Sequence, residues 1–93
     1  MVRKRNKLQI IYDILKVIKG KNGKIKPTHI LYKSNLSYSM MEEYLGELIS
    51  KKFIIEIKEK QSKTYSLTEK GIKYLDEYKF IIEFSDSFGL IEE

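Results

Sequence analysis

Cysteine is absent from the 93 residues, which excludes disulfides, thiol catalysis and thiolate metal sites. Histidine occurs once, as His29, so neither a histidine-rich metal cluster nor a Ser-His-Asp set with a spare histidine can be assembled. A lone histidine on a short helix reads as a surface or capping residue. There is no glycine-rich phosphate loop and no nucleophile beside a credible base, so an enzyme is not expected. No cofactor, metal or small-molecule ligand is expected either. The start, Met1 to Lys7, is basic like the first part of a signal peptide, but Gln9, Asp13, Lys16 and Lys19 interrupt the apolar residues behind it. Nothing approaches the apolar length of a membrane span, and an intracellular protein is expected.

What is present is a basic, well-patterned chain. Apolar residues make up 42% and charged residues 33%, the balance of a chain able to bury one modest core. The net charge of +5 favours a polyanionic partner. Isoleucine, lysine and glutamate dominate while alanine and tryptophan are missing. Lysine and glutamate enrichment is a hyperthermophile tendency, which an AT-rich genome would also produce.

The pattern predicts four helices and a hairpin. Asn6 caps a first helix over Lys7 to Lys19, with Leu8, Ile11, Leu15 and Ile18 as its apolar stripe, widened by Ile14 and Val17. Gly20 stops it, and Ile25 can form a minimal strand. Pro27 opens a second helix with Ile30 and Leu31 inward. Ser34-Asn35 breaks that helix, Asn35 being suited to a left-handed backbone. Ser37 caps a third helix, flanked by Leu36 and Met41 as a hydrophobic staple. Met41, Tyr44, Leu45, Leu48 and Ile49 form its buried stripe, opposite Ser39, Glu42, Glu43, Gly46 and Ser50. Two strands follow, Phe53 to Ile57 and Thr64 to Leu67. Phe53, Ile55 and Ile57 alternate with Ile54, Glu56 and Lys58, and Tyr65 and Leu67 share one face of the return strand. The tip, Glu59 to Ser62, lacks glycine and is expected to be looser than a two-residue turn. Thr68 caps a fourth helix that carries Leu75 and many aromatics.

Helix, tight turn, helix and hairpin in that order is an α+β winged helix-turn-helix. One domain is expected over 1–93, with a winged core at 6–67 and a C-terminal helix at 68–88. The stretches Thr28 to Tyr38, Tyr44-Leu45 with Leu48, and Tyr65 to Gly71 resemble the small archaeal winged-helix DNA-binding proteins. The opening Asn6 to Leu15 is similar to their first helix. The resemblance covers about residues 3 to 80. It implies a DNA-binding homodimer, held by the C-terminal helix and acting in regulation or chromatin, hence cytoplasmic and nucleoid-associated.

Within that frame the candidate DNA contacts are Arg3, Lys4, Arg5, Lys33, Ser37, Tyr38, Ser39, Glu43, Lys58, Lys60, Gln61, Ser62 and Lys63. The N-terminal cations read as a phosphate-contacting arm or as a solvated terminus. The wing lysines read as phosphate contacts diluted by Glu56 and Glu59, or as a solvated hairpin. Tyr38 and Ser39 open the third helix where it would meet a groove, although Tyr38 could instead pack on helix two. Glu42 and Glu43 could accept from cytosine amino groups or simply be solvated. Tyr74, Tyr78, Ile81, Ile82, Phe84 and Phe88 offer more apolar surface than one side of a lone helix needs, and are assigned to a dimer interface. The other function class left open is a winged-helix protein-interaction module without DNA affinity.

Overall fold

A computed structural model describes residues 6–21, 25–87 and 89. The elements are α1 (Lys7–Gly20), α2 (Pro27–Ser34), α3 (Tyr38–Ser50), β1 (Ile54–Glu59), β2 (Ser62–Leu67) and α4 (Glu69–Ser87). This is the expected winged helix-turn-helix.

Local chemistry sets most of the boundaries. The Asn6 side chain accepts from the Gln9 amide at 2.9 Å, and the Gln9 side chain accepts from the Asn6 amide at 2.9 Å, a reciprocal capping box of which sequence reading found only the asparagine. Asn35 is left-handed (φ 55°), as expected, and closes α2 through two bonds: Leu36 N–H to the Leu31 carbonyl and Asn35 N–H to that of Tyr32. That pair of bonds is a Schellman motif. Its copy ends α3, where Phe53 N–H bonds Leu48 and Lys52 N–H bonds Ile49, with Lys52 left-handed (φ 64°). The Ser37 hydroxyl accepts from Met40 N–H at 3.2 Å, and the staple residues Leu36 and Met41 are both buried.

The core joins Ile14, Leu15 and Ile18 of α1 to Ile30, Leu45, Leu48 and Ile54. Ile25 contributes a single bridge to Tyr65, so the minimal strand is present. Three expectations need correction. Leu8 is 52% exposed, and Ile10 takes its place in the α1 stripe. More of α1 is apolar than its neighbours can cover, so packing chooses among the candidate faces. In β1 the inward residue is Ile54 (1% exposed), while Ile55 (50%) and Ile57 point outward. Cross-strand partners share a face, and Ile54 lies opposite Leu67 and Glu56 opposite Tyr65, so burial of Tyr65 commits that parity. Finally, the wing is tight. Glu59 pairs with Ser62 around Lys60-Gln61, Lys60 takes φ 50°, and the Ser62 hydroxyl donates to the Glu59 carbonyl at 3.2 Å. That bond and the left-handed lysine close a turn that the missing glycine had argued against.

The first turn of α4 clasps the end of α3. The Thr68 hydroxyl donates to the Lys52 carbonyl (2.7 Å), lies 3.1 Å from the Phe53 carbonyl, and accepts from Gly71 N–H as the expected cap. Lys70 donates to the Lys51 carbonyl at 2.9 Å and lies over the Phe53 ring. A Cβ on Gly71 would collide with the Phe53 carbonyl oxygen, so the helix can approach this closely only on glycine. Farther along, Tyr74 and Tyr78 pack inward: Tyr78 meets Tyr12 at 5.1 Å between centroids, and the Tyr74 hydroxyl donates to the Leu8 carbonyl at 3.0 Å.

Candidate nucleic-acid interface

The α2–α3 turn and the staple leave one side of α3 facing solvent. Tyr38, Ser39, Met40, Glu42, Glu43, Gly46 and Ser50 are all exposed on it. Tyr38 is 57% exposed, so most of its side chain stands clear of helix two. Tyr32, 78% exposed on α2, and Met40 were absent from the sequence-derived contacts. The signal for Tyr32 was its position opposite Ile30 on a short amphipathic helix.

The electrostatics of this side are organised around two carboxylates. Glu47 receives Lys7 at 2.7 Å and Lys51 at 3.1 Å. The hydrogen bond from Lys7 holds the Glu47 carboxyl below the usual range, and the same bond raises the Lys7 ammonium. Lys7, in a run that looked free of acidic neighbours along the chain, thus has one across the fold. Glu56 binds Lys63 at 3.4 Å, lies 3.9 Å from Lys58, and accepts from the Tyr65 hydroxyl at 3.3 Å. Burial first, then the charge of Glu56, pushes the Tyr65 phenol up to about 12. Glu42 and Tyr38 act on the same phenol, which places the start of α3 beside the wing root.

Of the proposed wing contacts, Lys60 and Gln61 stand exposed at the tip, Ser62 is engaged in closing the turn, and Lys58 and Lys63 flank Glu56. Lys33 lines an open cleft with Lys16, Lys21 and Asp13 near the ends of α1 and α2, apart from the wing. Arg3, Lys4, Arg5 and Phe88 lie outside the described residues. Of the assigned interface residues on α4, Ile81 and Phe84 are exposed and Ile82 is half-buried, whereas Tyr74 and Tyr78 are engaged within the chain. Phe80 (68% exposed) joins the outward set. Among the described residues no group of three or more His, Cys, Asp or Glu could hold a metal ion, and no helix is long and apolar enough to cross a membrane.

Comparison with known proteins agrees with this frame. The winged helix-turn-helix family matches residues 4–86, and the chain belongs to that family. Two uncharacterized proteins of Methanocaldococcus jannaschii are similar in sequence. MJ0290 is 41% identical over 51 residues, covering 55% of this chain and 23% of its own length. MJ0287 is 39% identical over 57 residues, covering 61% and 57%. The chain thus matches less than two thirds of either relative.

Among solved structures, Sso10a-2, a DNA-binding protein from Sulfolobus solfataricus, superposes with a TM-score of 0.79 at 24% identity, over 90% of this chain and 85% of that one. F93 from STIV, a winged-helix DNA-binding protein, gives 0.74 at 22%, over 86% and 92%. MepR, a transcription regulator of the Staphylococcus aureus multidrug efflux pump MepA, gives 0.76 at 18%, over 90% and 65%. These likenesses establish a shared fold.

Proposed function

We propose that this protein binds double-stranded DNA as a homodimer, inserting α3 in the major groove and laying the wing on adjacent phosphates, as a transcription regulator or chromatin component. The observation that carries the reading is the open side of α3, exposed over its whole length and flanked by a tight lysine-tipped wing. Support for the dimer comes from Phe80, Ile81 and Phe84, which put three large apolar side chains on one exposed side of α4. Titration of a labelled duplex at several salt concentrations tests DNA binding, which predicts log affinity falling linearly with log salt. Light scattering of the same samples tests the dimer. Lys60→Ala should weaken all duplexes alike and make the salt slope shallower by about one, because a phosphate contact carries no base information.

A second reading, a protein-interaction module, rests on one specific observation: the residues that α3 itself exposes include Glu42 and Glu43 and no cation. An absence of duplex binding even at low salt would select it.

A further inference from the structure

The chemistry of the exposed side of α3 restricts what it can read. At 3.6 residues per turn, Ser39, Glu43, Gly46 and Ser50 lie along the middle of that side. Glu42 sits toward the wing, where it acts on Tyr65, and Glu47 on the other flank is bound by Lys7 and Lys51. Glu43 makes no hydrogen bond or ion pair with the described residues; its charge reaches Lys7, but that ammonium is already held by Glu47. Helix α3 itself places no arginine, lysine, asparagine or glutamine on this side, so it lacks the bidentate readers of guanine and adenine. A carboxylate only accepts hydrogen bonds. In the major groove it can take the amino group of cytosine, and it is repelled by the paired acceptors O6 and N7 of guanine.

Gly46 supplies an independent observation one turn from Glu43. Glycine inside a helix costs about 1 kcal/mol relative to alanine. A Cβ here would meet nothing within 4 Å, so no contact with the described residues calls for the glycine. Bare backbone at this point lets a partner surface come close beside the Glu43 carboxylate. Met40, exposed on the flank, adds an apolar contact of the kind that thymine methyl groups accept.

We infer that Glu43 is the specificity-determining residue of α3, selecting a cytosine at one position beneath the middle of the helix. The inference rests on the DNA-binding reading above. Its test is selection from a random duplex library at fixed moderate salt, with the full chain and with Glu43→Gln. The unmodified protein is expected to enrich cytosine over guanine at one position by about fivefold, the lower end of what one good base contact gives. Glu43→Gln, near in shape but a bidentate adenine reader, should move that preference to adenine. Its melting temperature should match the parent, because the side chain is exposed and makes no hydrogen bond or ion pair with the described residues. Salt-dependent binding with no cytosine preference overturns the inference and leaves DNA binding standing, as does an unchanged preference in Glu43→Gln. No binding by either protein at low salt overturns the DNA-binding reading itself, and the inference with it.

Discussion

The two ends of α4 are held in different ways. Its first turn is locked to the end of α3 by backbone-directed bonds from Thr68 and Lys70 and by the close approach at Gly71. Its last turns present Phe80, Ile81 and Phe84 to solvent. One end is specified by hydrogen bonds with fixed geometry, the other by apolar surface that any complementary surface could cover. The first end therefore belongs to the fold, and the second is where an assembly can form without rebuilding the fold.

That contrast can be broken most severely at Gly71. Gly71→Ala forces a methyl group onto the Phe53 carbonyl and should cost about 2–3 kcal/mol, read as a lower urea midpoint at unchanged slope. A loss under half of that would mean that the clasp yields easily. Thr68→Val removes the hydroxyl shared by Lys52, Phe53 and Gly71 and should cost about 1–2 kcal/mol by the same measurement. Lys52→Gly should act in the opposite direction. It relieves a left-handed lysine without touching the Lys52 carbonyl that Thr68 uses, and a gain of about 0.5–1 kcal/mol is expected.

At the other end, the double change Ile81→Glu with Phe84→Glu should alter monomer stability least, within about 0.5 kcal/mol, because both side chains are exposed. If the parent sediments as the proposed dimer, the same protein should run as a monomer under those conditions. A large stability loss without a change in mass would assign these residues to the fold of a single chain.

The first end of α4 was partly legible along the chain. Thr68 reads as a cap, yet the reason for Gly71 three residues later appears only when Phe53 is brought against it. The same division runs through the candidate site. Ser37, Tyr38 and Ser39 were placed at the start of α3 from the cap alone, and they are exposed there. Lys7 looked free because its partner, Glu47, lies forty residues away in sequence on another helix. Tyr32 could be read as outward from its place opposite Ile30, but nothing along the chain marks an outward aromatic as part of a site. Phe80 was assigned to the helix but not to its outer side, since so many apolar residues crowd α4 that spacing alone ranks none of them.

The sequence by itself determined the starts, stops and turns: the Asn6 and Ser37 caps, Pro27, the left-handed Asn35 and the Leu36–Met41 staple. Each of these acts over five residues or fewer, so the chain needs no distant partner to express it. Tertiary structure alone decided the rotation of α1 that exposes Leu8, the parity of β1 that turns Ile55 and Ile57 outward, and the carboxylates that Lys7 and Lys63 meet. Where apolar residues occupy both faces of an element, local preference is degenerate, and only the surface packed against that element separates the alternatives.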